Sequence, residues 1–346
     1  MFDNDDVTGL PRRAERSPGP HAAATPDAEG QAAPARPARR RALAAAALIV
    51  VAAALLYYPI GMAMVHRIND DPEFAPTGAR AEAGGSRTVA LTAALIAREI
   101  DGAGWVPNDP AIYPSAALDN MPNFQLGLKA ALFRFAIELT DQIGRTRGSS
   151  QADGDLDSAA GELKFPGDVW LWDMSVSVLP TATSENHYRK AVRLLDLYNQ
   201  RLGEGNAVFD RRADNLLGTL DRIAADLGSA SAELESHVRG QAGGLGGGLL
   251  DFAADDLFYN VKGRLYGYYM ILAALGTDFD QVMAERQLGP AWAQMLTSMR
   301  TAAVIDPLLV VNGAPDGMMA SHLVVQGFYL LRARTQLREI SNILLK

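Results

Sequence analysis

The hydrophobic pattern of this chain begins with one long apolar run. From Ala42 to Val65 no residue carries a charge over 24 positions, and Arg39, Arg40 and Arg41 precede the run directly. At about 1.5 Å per residue, a helix of this length reaches roughly 36 Å, which is enough to cross a hydrocarbon core of about 30 Å. The run therefore predicts a transmembrane helix over residues 42–65.

After residue 88, apolar residues recur at helical spacing in segment after segment, which predicts a multi-helix bundle. The segments are 89–100, 128–143, 188–202, 216–227, 258–272, 292–299 and 323–344. Gly228 is predicted to end the fourth of these helices. In the last helix, leucines at 323, 330, 337 and 344 form a seam with heptad spacing. Such a seam packs against another helix of the bundle or against a second copy of the chain.

One segment departs from the helical pattern. Over residues 169–178, Trp170, Trp172 and Met174 begin an alternation of large and mostly polar side chains, which is typical of a strand. A strand needs a partner, and residues 308–311 are the eligible one. The sequence thus predicts a mainly α fold and allows one short two-stranded ribbon.

The chain is expected to have four parts. Residues 1–41 are rich in Ala, Pro and Gly and predict a disordered cytoplasmic tail, followed by the span at 42–65. Residues 66–87 are predicted to be a stalk or linker, and 88–346 a helical periplasmic domain with a possible hinge at 243–248. The arginines before the span and the acidic residues after it place the N-terminus in the cytoplasm by the positive-inside rule.

A cleavable signal peptide is the alternative for the apolar run, because Gly61, Met62 and Ala63 form a passable cleavage site. Signal peptides usually have an apolar core of about 7 to 15 residues near the N-terminus. This run is longer and follows a leader of 41 residues. The sequence therefore favours a retained anchor.

Composition narrows the chemistry of the exterior part. From residue 42 onward the chain has 25 basic and 34 acidic residues, a net charge of −9. Such a domain is a poor partner for nucleic acid or for anionic lipid headgroups, since both require a basic face. The chain has no cysteine, which excludes disulfides, thiolate zinc sites and cysteine nucleophiles. The histidines are not at ligand spacing, so no metal and no cofactor are predicted.

Polar residues next to aromatic ones are the candidate site. The binding candidates are Trp105, Asn108, Asn120, Asn123, Gln125, Arg211 and Asn215, and the candidate carboxylates for catalysis are Asp109, Asp119 and Asp214. Together they would form a groove for a sugar or peptide, with two carboxylates as acid and base. The sequence favours a plainer interpretation, in which these residues cap helices and satisfy loop backbone, because Asn and Asp are foremost turn residues.

Several segments carry a family resemblance. They are WVPNDPAIYP, LDNMPNFQLG, RTRGSSQADGDL, FDRRADNLLGTLDRIAADLGS, VNGAPDG and SHLVVQGFYLLRARTQLREI. The chain resembles the bacterial membrane-anchored family called domain of unknown function 2333, from the anchor to Lys346. Before His322 it has Ala320 and Ser321 where the family would have Pro and Asn. The resemblance implies a proteobacterial envelope location, and it implies no activity and no catalytic residues.

These observations favour a non-catalytic inner-membrane protein. Its helical periplasmic domain would act as a scaffold or interaction module for an envelope protein, or for a second copy through the 323–344 helix. The alternative is a hydrolase of cell-wall glycan or peptide that uses paired carboxylates. A third hypothesis is a domain that binds lipid in an apolar cavity between helices.

Overall fold

The computed structural model describes residues 36–82, 84–145, 152–172, 179–241, 252–307, 310 and 321–346, and the regular structure within these residues is helical. The α-helices are α1 Arg36–Val65, α2 Ala79–Glu82, α3 Arg87–Ala97, α4 Asn120–Glu138, α5 Gly154–Leu163, α6 Ser184–Gly203, α7 Ala213–Gln241, α8 Phe252–Asp278, α9 Asp280–Glu285, α10 Gly289–Ala303 and α11 His322–Leu344. The predicted mainly α fold is confirmed. The possible ribbon and the hinge at 243–248 fall mostly or wholly outside the described residues.

Within the described part of the chain, α1 is the one helix that is long and apolar enough to cross a membrane. The qualifying stretch is Arg39–Val65, with a mean hydropathy of 2.3 and no buried residue in its most apolar window. By its contacts the chain divides into two units, residues 1–52 and 53–346. All packing described below lies within the second unit.

The centre of this unit is the pair α4 and α8, which run parallel at very close approach. A Cβ atom on Gly263 of α8 would lie 2.1 Å from the carbonyl oxygen of Phe124, and one on Gly267 would lie 2.9 Å from the Cβ of Ala131. The two contacts advance together along both helices, so the chains have the same direction. These glycines therefore serve close backbone packing.

The other helices pack around this pair. Helix α3 packs on α8 and α6, α5 packs on α6, and α11 lies between α7 and α10. The four leucines of the α11 seam, at 323, 330, 337 and 344, are all buried in this bundle. Of the two partners that the seam allowed, the bundle itself is the one observed.

Helix α7 corrects one sequence expectation, because it continues beyond Gly228 to Gln241. A Cβ atom at Gly228 would lie 2.9 Å from the guanidinium carbon of Arg334 on α11. The glycine therefore makes room for a neighbouring side chain, and the helix continues because packing outweighs its weak helix propensity.

The linker, residues 66–87, contacts the bundle along α8. Lys262 Nζ lies 2.8 Å from Asp70, and the hydroxyl of Tyr266 donates to the carbonyl of Asp71 at 2.8 Å. At the other end of α8, Asp278 accepts a bond of 2.6 Å from the Ser86 hydroxyl. The chain thus contacts α8 from Lys262 to its last residue, Asp278, before α3 begins. The boundaries of the four predicted parts stay predictions.

Candidate functional site

Most of the candidate residues lie on the chain between α3 and the first turns of α4. Trp105 is buried, its indole Nε1 donates to the carbonyl of Gly167 at 2.8 Å, and its ring meets Tyr188 edge to face at 5.0 Å. Gln125 is fully buried and donates to Glu99 at 3.1 Å. Both side chains join the loop to the interior, so neither presents a binding surface.

Asn108 and Asp109 have similar tasks. The Asn108 amide donates to the carbonyl of Val169 at 2.9 Å and to Glu185 Oε2 at 2.8 Å. The hydroxyl of Ser115 donates to Asp109 Oδ2. Burial raises the pKa of Asp109, and the bond from Ser115 opposes that rise. The two residues fasten the loop to α6 and to itself.

The structure brings a further group together where α4 and α8 begin side by side. Asp119 caps α4 by accepting from the backbone N–H of Asn120 at 2.9 Å. The Asn120 amide, in the orientation that satisfies both of its atoms, donates to Asp255 Oδ2 at 2.7 Å. The Asn123 amide donates to Asp256 Oδ1 at 2.7 Å. We call Asp119, Asp255 and Asp256 the proximal aspartates.

Asp119 raises the proton affinity of the other two proximal aspartates. Burial first, and then the charges of Asp119 and Asp256, raise the pKa of Asp255 to about 6. The pKa of Asp256 is also raised, by burial and by Asp119, although the bond from Asn123 opposes the rise. Like charges held this close disfavour ionisation. The sequence shows the Asp-Asp pair, but it does not show that α4 starts beside it.

Lys262 is the buried charge that the sequence interpretation missed. Its side chain is 0% exposed, and its Nζ contacts Asp70 of the linker at 2.8 Å and Asp306 at 3.2 Å. The residue lies one turn after Phe258 and one turn before Leu265, inside the apolar stripe of α8. The sequence could have indicated this contact, because a lone lysine within a buried apolar stripe needs an anionic partner.

The remaining candidates lie at the start of α7, apart from the loop. Arg211 stacks over the ring of Phe209 at 5.0 Å. Asp214 accepts from the backbone N–H of Asn215 at 3.1 Å, and the Asn215 amide donates to a carbonyl just before the helix at 3.1 Å. These are local contacts of a helix start, as the plainer interpretation proposed.

The three candidate carboxylates therefore have three separate environments. Asp109 bonds a serine of its own loop, Asp119 caps α4, and Asp214 contacts residues next to it in sequence. A glycosidase needs two carboxyl groups about 5 to 9.5 Å apart across a cleft. The described contacts of these three residues include no contact of one with another.

Two further observations limit the chemistry. Among the described residues, no group of three or more His, Cys, Asp or Glu side chains is arranged to hold a metal ion. The internal cavity bounded by Glu99, Trp105, Gln125 and Tyr188 has room for about one water molecule. That space is too small for a lipid chain.

The outer part of the same loop lies along the last turns of α1. The hydroxyl of Tyr57 donates to the carbonyl of Ile112 at 3.0 Å, and the hydroxyl of Tyr58 donates to the carbonyl of Ala111. One turn later, a Cβ atom on Gly61 would lie 2.3 Å from the ring of Pro114. The loop and the helix therefore run side by side in the same direction.

Fold and geometry together define a class: a helical domain carried by one apolar helix that fits a membrane anchor. Residues 42–242 and 252–346 match the family described as uncharacterized proteins conserved in bacteria, domain of unknown function 2333. The chain belongs to this family, which confirms the resemblance. No curated protein and no solved structure matches the chain.

Proposed function

We propose that this protein is a single-span inner-membrane protein whose helical domain lies in the periplasm and acts as an interaction module. Arg39, Arg40 and Arg41 precede the uncharged run and supply the positive flank that stays in the cytoplasm. Membership of a bacterial family and one span of suitable length support this membrane location.

The domain is held against the chain that leaves the span, which gives it a fixed orientation. Besides the ion pair between Asp70 and Lys262, the guanidinium of Arg98 lies over the ring of Phe74 at 4.8 Å. Tyr266 donates to the linker backbone as well. A domain tied down this closely to its anchor presents the same side to its neighbours in the membrane.

The observation that carries the proposal is an exposed apolar stripe on α11. Val324, Phe328 and Leu331 follow one another at helical spacing and are 40%, 60% and 53% exposed. The opposite face of α11 is buried against α7 and α10. We call these three residues the α11 stripe, and we interpret neighbouring exposed apolar side chains on one face of a well-packed helix as an interaction surface.

A second copy of this chain is the partner that the geometry favours. The amide of Gln326 donates to the carbonyl of Phe258 near the start of α8, so the α11 stripe lies toward the end of the domain that adjoins the span. Two copies anchored in one membrane share their orientation, and their dimer axis is normal to the membrane. The two stripes then meet at equal height.

Disulfide formation in isolated membranes tests this, because the natural chain has no cysteine. The full chain carrying Phe328→Cys is expected to form covalent dimers on mild oxidation. Leu197→Cys is the matched control, since it is 51% exposed on α6, which packs against α3 and α5. Equal yields at the two positions, or an adduct of position 328 with another protein only, would contradict self-association.

The residues that the two alternative functions name lack the geometry that each function requires. The hydrolase hypothesis needs paired carboxylates, and Asp109, Asp119 and Asp214 have separate partners. The lipid-cavity hypothesis needs an apolar tunnel, and the cavity beside Trp105, which holds about one water, is too small to be that tunnel.

A further inference from the structure

The depth of the loop beside α1 follows from helix geometry. Tyr57 lies eight residues before Val65, a rise of about 12 Å. The uncharged run of roughly 36 Å exceeds a hydrocarbon core of about 30 Å by about 6 Å. Even if the whole excess lies at the Val65 end, Tyr57 starts about 6 Å inside the hydrocarbon. The carbonyl of Ile112, bonded to the Tyr57 hydroxyl, therefore lies at the hydrocarbon boundary or deeper.

The composition of the loop suits that depth. Residues 110–118, PAIYPSAAL, carry no charge, and Asp109 and Asp119 flank them on either side. Ile112 is 66% exposed and Tyr113 is 44% exposed. An apolar side chain that points away from its own domain at this level has lipid as its surroundings.

Two carbonyls and one N–H group of the loop are bonded in a way that suits the same environment. Irregular backbone exposed to lipid must have its polar groups satisfied by the protein, because no water is present to bond them. The carbonyls of Ala111 and Ile112 accept from the hydroxyls of Tyr58 and Tyr57. Within the loop, the N–H of Tyr113 donates to the carbonyl of Pro110 at 2.9 Å.

We infer that residues 110–118 form a second membrane contact, in which Ile112 and Tyr113 enter the acyl-chain boundary of the leaflet next to the domain. This inference rests on the span proposed above. The ligand is the acyl and glycerol region of a phospholipid bilayer, since an uncharged loop has no means of selecting a headgroup charge. Span and loop together fix the orientation of the domain on the membrane surface.

Depth-dependent fluorescence quenching tests the inference. The full chain with Ile112→Cys is labelled with an environment-sensitive fluorophore and placed in phosphatidylcholine vesicles that contain acyl-chain nitroxide lipid. Thr277→Cys is the control, because it is exposed and lies 22 residues along α8 from Asp255, about 33 Å away. The label at position 112 is expected to be blue-shifted and strongly quenched, and the label at position 277 is expected to be neither.

A second variant tests the role of the tyrosines. Tyr57→Phe with Tyr58→Phe removes the donors to the two loop carbonyls. The loop should then withdraw toward water, and quenching at position 112 should fall while the protein stays in the membrane. Unchanged quenching would contradict the part assigned to these bonds.

The outcomes separate the loop contact from the anchor. If the labels at positions 112 and 277 behave alike while the protein resists alkaline carbonate extraction, the loop contact is wrong and the span stands. If carbonate releases the protein, the span itself is wrong, and the loop contact falls with it.

Discussion

The two ends of α8 place their aspartates in different environments. We call the start of α8, beside the start of α4, the near end, and its C-terminal end at Asp278 the far end. At the far end, Asp278 accepts bonds from Ser86 Oγ, from the backbone N–H groups of Arg87 and Thr88, and from Thr88 Oγ1, all between 2.6 and 2.9 Å. At the near end, Asp255 shares its surroundings with two other carboxylates, and its pKa rises to about 6. Asp278 thus joins the linker and the start of α3 to α8, whereas ionisation of Asp255 is opposed by burial and by two neighbouring carboxylates.

This difference indicates that the aspartates at the near end are present for a reason other than the stability of the fold. A buried carboxylate with four donors needs no further explanation, since its bonds to Ser86, Arg87 and Thr88 satisfy it. Asp255 and Asp256, whose pKa values are raised beside Asp119, are less favourable as anions in the folded protein than in water. The near end is also where the loop and the α11 stripe expose apolar side chains, so we interpret it as the working end.

The largest effect is expected for Asp278→Ala. The change removes four bonds and leaves the buried hydroxyls of Ser86 and Thr88 without their acceptor. The free energy of unfolding of the full chain in detergent should fall by about 3 kcal/mol. Glu285→Ala, at an exposed position of α9 just beyond, should change it by less than about 0.5 kcal/mol. A loss below about 1 kcal/mol for Asp278→Ala would contradict the stabilising role assigned to the four bonds of Asp278.

A smaller effect is expected where the linker meets α8. Asp70→Ala leaves Lys262 fully buried, with Asp306 as its remaining carboxylate contact, and should cost about 2 kcal/mol of unfolding free energy. Adding Lys262→Met should recover most of that loss, because it removes a buried charge that has lost the nearer of its two carboxylate partners.

The linker also supplies a matched control for this ion pair. Asp196→Ala breaks the pair with Arg80, in which both side chains are about one-third exposed, and should cost less than about 1 kcal/mol. If the Asp70 and Asp196 variants are equally stable, the linker is not held at Lys262 as described.

The smallest effect has the opposite sign. Asp255 has a pKa of about 6 in the folded protein against 3.8 in a model peptide, so the folded state binds the proton more tightly. Stability therefore falls as the pH rises from about 4 to about 6, and it stays lower above that range. Asp255→Asn should stabilise the protein by about 1 kcal/mol near neutral pH, after allowance for solvent screening, and by nothing near pH 4.

Asp157→Asn provides the control for the pH series, because Asp157 is an exposed residue in the first turn of α5. The stability of the Asp157→Asn variant should follow that of the natural chain across the whole pH range. A destabilised Asp255→Asn variant at neutral pH would show that the near-end carboxylate is a structural group like Asp278.

The sequence predicts the helices of this protein well because their stripes are regular. The α11 leucines and the spacing of Gly263 and Gly267 are local patterns, and each translates directly into a buried face or a close approach. The prediction that a helix ends at Gly228 is wrong because this glycine makes room for Arg334, which is distant in sequence.

The candidate site was less predictable because it depends on which helices begin side by side. Trp105, Asn108 and Gln125 are candidate binding residues by sequence, and in the structure their side chains fasten the loop to its neighbours. The pairing of Asn120 with Asp255 joins residues 135 positions apart, which no local pattern encodes. A single sequence likewise gives no sign that Tyr57 bonds the loop at Ile112.

Labelling with a membrane-impermeant maleimide in intact cells tests the central claim most directly, namely that a single span separates a cytoplasmic tail from a periplasmic domain. The cysteine-free chain allows one site at a time, with Thr277→Cys in the domain and Ser17→Cys in the tail. We expect position 277 to react in intact cells and position 17 to react only after lysis. Reaction at position 17 in intact cells, with position 277 protected until lysis, would contradict the proposed topology.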